Sequence, residues 1–361
     1  MQLSIVDVGQ VPEGGTVADA LGHTVALARA AERLGFARYW IAEHHGRGET
    51  FASSNPEVIV ARVAAATSTI RVGSGGVLLN HYSPFKVAET FRVLHALYPG
   101  RIDLGFGKAD GVPVVDFALR KDRDVEPVSD DPMAGMMAWL AQEEQVRELV
   151  DWLDGSFPPG HPFADVTLLP GVVGGPEPWL LGASSTTATL AGRLGLGFCF
   201  AGFLNPDGAV AAFQAYRHVC AREPRTMLAV NVACGATDEE GDRLRSSVEL
   251  FWRRARERPD EVRREPLADP DAAVAELGGV PEPSRLADGT WPHRLSGSPG
   301  RVRETLEEMV AATGADELML QDMIARPADR LRSYELIADV FDLSPAPVAT
   351  PAPAGGGGWS P

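Results

Sequence analysis

Short apolar runs alternate along the chain with longer segments in which apolar residues recur at helical spacing. Eight of the short runs are predicted strands, at residues 3–8, 38–42, 70–78, 101–105, 179–182, 197–201, 227–233 and 317–321. This alternation is typical of βα units that build a parallel sheet. Because no GxGxxG turn follows the first strand, the pattern favours a closed barrel over an open doubly wound sheet. The predicted fold class is therefore α/β, a (β/α)8 TIM barrel with loop insertions.

The segments between the strands contain the start and stop signals of helices. Ser-Pro pairs at 83–84 and 298–299 are typical of helix N-termini, and Gly35 and Gly314 are typical of helix C-termini. The apolar residues between these signals fall on one helical face, which indicates core packing. Helices are therefore predicted over 16–35, 84–98 and 299–313.

Two stretches interrupt the alternation. Residues 109–178 contain one clear helical pattern, around 133–153, and residues 258–297 are rich in Pro, Arg and Asp. Both are predicted to be insertions in the loops around the barrel, where long loops are often functional. We expect one elaborated barrel over residues 1–342, followed by a flexible tail at 343–361 that contains many prolines and glycines.

Composition narrows the class of protein further. The chain has 33 basic and 49 acidic side chains, a net charge of −16, which argues against a nucleic-acid-binding protein. Its beginning does not resemble a secretion signal, and its longest uncharged stretch contains too many prolines and glycines for a membrane span. Cys199, Cys220 and Cys234 form no CxxC pair, so neither a disulfide framework nor a zinc site is expected. We expect a cytoplasmic enzyme with no membrane partner.

Residues directly after the strands of such a barrel are the candidates for chemistry. Glu43, His44 and His45 follow the second strand, and a histidine there can act as an acid or a base near neutral pH. The alternative is a pair of hydrogen-bonded loop histidines. Asn55 and Pro56 read most simply as a helix-capping turn, with a ligand contact as the alternative.

The third predicted strand contains Gly73, Gly75 and Gly76. Glycine inside a strand often marks a place where a ligand approaches the backbone closely. A planar ring lying against this strand is one explanation, and a tightly packed barrel wall is the other.

An anion site is predicted where the fifth strand leads into a helix. The residues there include Ala183, Ser184, Ser185 and Thr187. Free backbone N–H groups and hydroxyls at a helix start suit a phosphate ester, although a simple Ser or Thr N-cap is an equally good explanation. Lys108, after the fourth strand, and Arg120 are cations that could neutralise the same phosphate.

Several segments together resemble the bacterial luciferase-like flavin monooxygenases, and within them the MsnO8-type group. They occur in the same order in this chain: 40–45 (WIAEHH), 70–77 (IRVGSGGV), 99–105 (PGRIDLG), 179–185 (WLLGASS), 230–240 (VNVACGATDEE) and 297–302 (GSPGRV). The resemblance extends over residues 1–342. It implies a barrel that binds reduced FMN, supplied by a separate flavin reductase, at the carboxyl ends of its strands.

In that family the reduced flavin reacts with O2 to give a C4a-(hydro)peroxide that oxygenates a small organic substrate, for instance one from specialised metabolism. The resemblance also implies a homodimer formed through helices next to the second and third strands. Two alternatives stay open: an F420-dependent oxidoreductase on the same barrel, and a non-catalytic flavin-binding subunit.

The resemblance also suggests roles for individual residues. It implies that His44 is the catalytic base and that a cis peptide bond joins Gly75 to Gly76 against the flavin ring. It places Lys108, Ser184 and Thr187 on the FMN phosphate, with backbone help from Ala183 or Ser185 and a further contribution from Arg120.

Four residues are expected either to contact the substrate or to support the residues that contact it: Glu43, His45, Asn55 and Gly202. Gly202 stands where related sequences often have histidine, which predicts either open space above the flavin or a lost polar contact. Lys108 stands where arginine is common, so a bidentate phosphate contact is replaced by a point charge.

Overall fold

A computed structural model describes residues 1–108, 113–119, 132–262 and 264–346. Within these ranges the chain forms nine strands: β1 (Gln2–Asp7), β2 (Arg38–Ile41), β3 (Arg71–Leu78), β4 (Ile102–Gly107), β5 (Glu177–Gly182), β6 (Gly197–Ala201), β7 (Thr226–Cys234), β8 (Leu295–Gly297) and β9 (Glu317–Gln321). Eight of them lie within two residues of the predicted strands.

The sheet closes on itself. Neighbouring strands pair in the order β1 to β7, then β9, and β9 returns to β1 through Gln2 opposite Glu317. All pairs are parallel, as in the register of Ile5 with Tyr39 between β1 and β2. The predicted (β/α)8 barrel is therefore confirmed.

Helices connect and surround the strands. They are α1 (Val17–Leu34), α2 (Pro56–Ala64), α3 (Pro84–Leu97), α4 (Pro113–Leu119), α5 (Pro132–Asp154), α6 (Ser185–Arg193), α7 (Ala209–Val219), α8 (Asp238–Glu257), α9 (Pro259–Val262), α10 (Pro270–Leu277), α11 (Pro299–Thr313) and α12 (Pro327–Val340), with short 3-10 helices at Leu79–His81 and Pro206–Gly208. Helix α1 begins and ends where the sequence predicts, between residues 16 and 35. Thr16 and Asp19 form a capping box at its start, and Gly35, at φ 90°, ends it.

The second predicted insertion contains more structure than the sequence indicates. It includes α9, α10 and strand β8, whose three residues pair with the end of β7 from Val232 opposite Leu295 to Cys234 opposite Gly297. β8 was not predicted because a Leu-Ser-Gly stretch is too short to show strand alternation.

Two cores form on opposite faces of the barrel wall. Side chains such as Leu3, Ile5 and Tyr39 face outward and pack under the helices. Alternate positions such as Val6 and Trp40 pack together in a separate cluster inside the barrel. This alternation follows from the two-residue period of a strand.

A ring of charged side chains closes the amino-terminal end of the barrel. Arg38 donates to Glu317 at 3.2 Å and lies 3.7 Å from Asp103, and Arg71 donates to Asp103. Glu177 extends this ring and lies 3.0 Å from Arg71. Because opposite charges alternate, each buried charge has a partner, and access to the barrel is left at its carboxyl end.

A second buried ion cluster joins α12 to the barrel. Arg330 lies 3.1 Å from Asp7 at the end of β1, and its other contacts are to Asp322 at 2.7 and 3.0 Å. Asp7 also accepts hydrogen bonds from Thr24 at 2.6 Å and Tyr39 at 2.7 Å. Burial raises the pKa of Asp7, but Arg330 and these hydrogen bonds outweigh it, so the net pKa lies below its ordinary value.

The three cysteines are free thiols, with Cys199 and Cys234 buried and Cys220 half-buried. Burial raises the pKa of Cys234 to about 12, so that thiol is unreactive at neutral pH. No helix in the described ranges is both long and apolar enough for a membrane span. The same ranges contain no cluster of three or more His, Cys, Asp or Glu side chains arranged to hold a metal ion.

Candidate active site

The predicted site residues in the described part of the chain gather at the carboxyl end of the barrel. Arg120 lies outside the described residues. Gly75 and Gly76 lie within β3, and the others follow β2, β4, β5 and β6, which bring two groups to the same rim: Glu43 to His45 on one side, and Lys108 with the β5–α6 turn on the other. We call this rim the mouth.

Glu43 is buried just after β2 and connects three segments of the mouth. Its carboxylate accepts a hydrogen bond from the backbone N–H of Leu78 at 3.0 Å and from the hydroxyl of Tyr82 at 2.7 Å. The Nε2 atom of His45 lies 2.6 Å from the same carboxylate. Glu43 therefore connects the end of β2 to the end of β3 through hydrogen bonds.

His44 faces a different environment from its neighbour. Its backbone N–H donates to the carbonyl of Ser53 at 2.7 Å, and its ring lies 4.9 Å from the ring of Phe51. The Nδ1 atom is buried and has no hydrogen-bond partner among the described residues. Burial lowers the pKa of His44 to about 4, with further contributions from Arg47 and His45. The imidazole is therefore neutral at neutral pH and can accept a proton.

His45 matches the simpler interpretation of the histidine pair, a hydrogen-bonded loop residue. Besides Glu43, its Nε2 atom lies 3.3 Å from the hydroxyl of Tyr82. The sequence reasoning did not include Tyr82. A tyrosine four residues after the end of a strand, just before the Ser83-Pro84 start of a helix, was the available signal.

The glycines of β3 pack against the inside of the barrel. A Cβ atom at Gly73 would lie 2.9 Å from the Trp40 ring, and one at Gly75 would lie 2.9 Å from Trp40 Cβ. At Gly76 it would lie 3.0 Å from the backbone of Gly105. Contacts with Trp40 and with strand β4 therefore leave no room for side chains at these positions, which agrees with a tightly packed barrel wall. The Gly75–Gly76 peptide bond is cis, as the resemblance implies.

The β5–α6 turn has both features proposed for it. Ser184 is the N-cap of α6, and its hydroxyl accepts from the backbone N–H of Thr187 at 3.2 Å and lies 3.1 Å from the Thr187 hydroxyl. Ser184 and Ser185 are exposed, Ala183 and Thr187 are half-buried, and the first backbone N–H groups of α6 have no intrahelical acceptors. The capping role is confirmed: the cap accepts the Thr187 N–H and pairs the two hydroxyls with each other.

Lys108 lies next to this turn. β4 and β5 pair in register up to Phe106 opposite Leu180, so continuing the register by two residues places Lys108 beside Gly182. Lys108 is exposed. A cation beside the positive end of a helix makes this edge of the mouth favourable for an anion.

The structure changes the interpretation of two other predicted residues. Asn55 is the N-cap of α2, but its side chain makes no capping hydrogen bond and instead donates to Ser54 Oγ at 3.1 Å. At Gly202 a Cβ atom would lie 2.8 Å from the carbonyl oxygen of Ala229. Glycine is needed at 202 because β7 approaches closely.

The two sides of the mouth are three strands apart. His44 follows β2, whereas Ser184 follows β5. At about 4.8 Å between neighbouring strands, this separation is roughly 14 Å along the rim. A ligand with a flat ring at one end and a phosphate at the other would span it.

Comparison with known proteins supports one family. The sequence pattern of the family described as "Luciferase-like monooxygenase" matches residues 1–317. The crystal structure of apo-MsnO8 is 44% identical, covers 96% of this chain and 99% of its own, and superposes with a TM-score of 0.82. An N-acetyl-S-alkylcysteine monooxygenase of Bacillus subtilis is 34% identical over 94% of this chain and 98% of its own length.

More distant solved structures share the fold alone. The oxygenating constituent of 3,6-diketocamphane monooxygenase from Pseudomonas putida, in complex with FMN, is 20% identical with a TM-score of 0.65, covering 97% of this chain and 100% of its own. An F420-dependent secondary alcohol dehydrogenase is 16% identical with a TM-score of 0.63, covering 94% and 97%. The same barrel therefore occurs in proteins that use either cofactor.

Proposed function

Because the chain belongs to the luciferase-like monooxygenase family, we propose that it is a two-component monooxygenase that takes reduced FMN from a separate reductase and uses O2 to oxygenate a small organic substrate. The observation that carries this proposal is the mouth itself. It combines a neutral, mostly buried imidazole on one side with a helix N-terminus and an exposed lysine, which would suit an anion, on the other.

The residues of the mouth fit FMN. Its phosphate would lie against the exposed amides at the start of α6, the hydroxyls of Ser184 and Thr187, and the ammonium of Lys108. Its ring would extend toward Gly75 and Gly76 at the end of β3. When bound in its reduced form, FMN supplies the electrons that activate O2.

His44 supplies the acid-base chemistry of this proposal. Its neutral imidazole would accept a proton from the substrate or the flavin. A pKa of about 4 makes a free imidazole a weak base, but an anionic ligand beside it would raise that pKa. His44 is therefore expected to gain basicity when the site is filled.

The proposal extends to substrate and assembly. The B. subtilis relative is named for N-acetyl-S-alkylcysteines, so thioethers of that type are the first substrates to test. We also propose a homodimer through α2 and α3 and a cytoplasmic location. Val58, Val93 and Leu97 are exposed apolar side chains on those helices, which supports such an interface.

The decisive experiment follows reduced flavin under anaerobic conditions. The full chain is mixed with FMNH2, O2 is admitted, and flavin absorbance and O2 consumption are recorded with and without substrate. We expect FMNH2 to bind at micromolar concentration and its reoxidation to be altered by the protein. Binding of F420H2 in place of FMNH2 would establish the F420 alternative, and binding without any change in reoxidation would establish the non-catalytic one.

A further inference from the structure

The residues on either side of His44 are held by one buried carboxylate. The side chain of Glu43 is fully buried and interacts with three groups: the Leu78 N–H at 3.0 Å, the Tyr82 hydroxyl at 2.7 Å and His45 Nε2 at 2.6 Å. A buried carboxylate that loses such partners pays a large desolvation penalty, which restricts its movement. Glu43, at one end of segment 43–45, is thus held by the last residue of β3 and by Tyr82, which follows the 3-10 helix Leu79–His81. His45, at the other end, is held by Glu43 and Tyr82.

The other side of the same segment is fixed through the backbone. Ser53 accepts the N–H of His44 at 2.7 Å, and the Ser53 hydroxyl in turn donates to the carbonyl of Val8 at 2.7 Å. The ring of Phe51 then lies beside the His44 imidazole at 4.9 Å. No side-chain hydrogen bond among the described residues orients the Nδ1 side of that imidazole, so its position depends on how segment 43–45 is held.

We propose that Glu43 and Tyr82 are positioning residues for His44: their hydrogen bond fixes segment 43–45 against the residue that follows the 3-10 helix and thereby sets the place of the His44 ring. The proposal rests on the proposed function, because a positioning role has meaning only if His44 takes part in the reaction. Glu43 and Tyr82 act through His44 and need not touch substrate or cofactor.

The charges around the segment agree with this role. Burial and the Glu43 carboxylate raise the pKa of Tyr82 well above its ordinary value, so the hydroxyl stays protonated and donates at any working pH. The groups facing His44 are the cationic Arg47 and the His45 ring, and both lower its pKa in addition to burial. A change in the position of the imidazole therefore changes its titration.

Three variants test the proposal: Tyr82→Phe, Glu43→Gln and a control, Tyr98→Phe. Tyr82→Phe removes one oxygen atom and keeps the ring. Tyr98 is a half-buried tyrosine at the opposite end of α3, so its variant makes the same chemical change away from the mouth. If Glu43→Gln does not fold, Tyr82→Phe carries the test alone.

The first measurement is independent of activity. The ring signals of His44 in the full chain, labelled at histidine and assigned with His44→Asn, are followed by NMR against pH. We expect the titration midpoint to move from about 4 toward the ordinary value of about 6.5 in Tyr82→Phe and Glu43→Gln, and to stay unchanged in Tyr98→Phe. Unchanged midpoints in both test variants would overturn the proposal, whether or not the wild-type protein oxidises FMNH2.

The second measurement separates positioning from cofactor binding. In both test variants we expect the O2-dependent turnover of bound FMNH2 with substrate to fall by about tenfold or more, the scale of a misplaced acid-base group. The FMN dissociation constant should stay within twofold of wild type. A loss of FMN binding as large as the loss of turnover contradicts the positioning role, whereas a wild-type protein that binds no FMNH2 refutes only the proposed function.

Discussion

The ion cluster between α12 and the barrel predicts a large and pH-dependent loss of stability in Arg330→Met. Methionine retains the apolar stem but removes the guanidinium that faces Asp7 at 3.1 Å and Asp322 at 2.7 Å. Both carboxylates remain buried, at 0% and 1% exposure. Breaking a buried pair by removing one partner costs about 3–5 kcal/mol, because an uncompensated charge is left behind.

That free energy translates into a measurable melting shift. With about 2.1 cal/mol/K of unfolding entropy per residue, a domain of roughly 330 residues loses on the order of 4–7 °C in Tm. Thermal unfolding at pH 7, followed by circular dichroism, measures it. The control is Arg332→Met on the same helix, whose exposed guanidinium pairs with Glu335 at 3.3 Å and is expected to change Tm by less than about 1 °C.

The titration of Asp7 determines how the Tm difference between the wild type and Arg330→Met changes with pH. In the wild type its pKa lies below the unfolded value, so its contribution to stability is present above about pH 4 and is lost as pH falls through the folded pKa. Without Arg330, burial is opposed only by the hydrogen bonds to Asp7, so its pKa rises, and the variant regains stability as the carboxyl takes up a proton. The difference in Tm should therefore be largest at neutral pH and should shrink toward pH 4. A shift below about 1 °C at pH 7, or a difference that grows on acidification, would refute this reasoning.

Three further predictions concern the proposed anion-binding edge of the mouth and are measured by FMN titration and by Tm. The double variant Ser184→Ala with Thr187→Ala should weaken FMN binding by about tenfold or more, because hydrogen bonds to charged groups contribute about 1.5–3 kcal/mol each. The control Thr189→Ala, on the same helix, should leave FMN binding unchanged. Equal losses of FMN binding in the double variant and the control would contradict a phosphate site at this turn. Lys108→Ala should weaken FMN binding several-fold, more at low salt, and Lys108→Arg should restore it; no salt dependence would argue against a role for this charge. Gly182→Ala should lower Tm by roughly 1–4 °C, because its Cβ atom would lie 2.5 Å from Thr187 Cγ2, and an unchanged Tm would show that the turn can relax.

The barrel could be predicted from the sequence because its signals are local. Capping residues such as Thr16 and Gly35 determine where a helix begins and ends, and alternating apolar runs mark the strands. β8 could not be predicted, because three residues become a strand only when the end of β7 offers them hydrogen bonds. Such tertiary pairing leaves little trace in one sequence.

The site was predictable in its residue types and less so in their geometry. The turn around Ser184 was found because a helix start is a local feature. The contact between Glu43 and Tyr82 joins residues 39 positions apart, and no local pattern indicates it. The glycines of β3 suggested a ligand or a tight wall, and the contacts with Trp40 and β4 that exclude side chains there come from segments far apart in the sequence.

The pairing of β1 with β9 has a consequence for how the chain is made. Gln2 finds its partner Glu317 only after some 300 further residues have been synthesised, which takes roughly 15–60 s at about 5–20 residues per second. Until then the nascent sheet has two open edges that can pair with other chains. Ribosome stalling before β9, or truncation at that point, should therefore yield aggregation-prone intermediates that depend on chaperones.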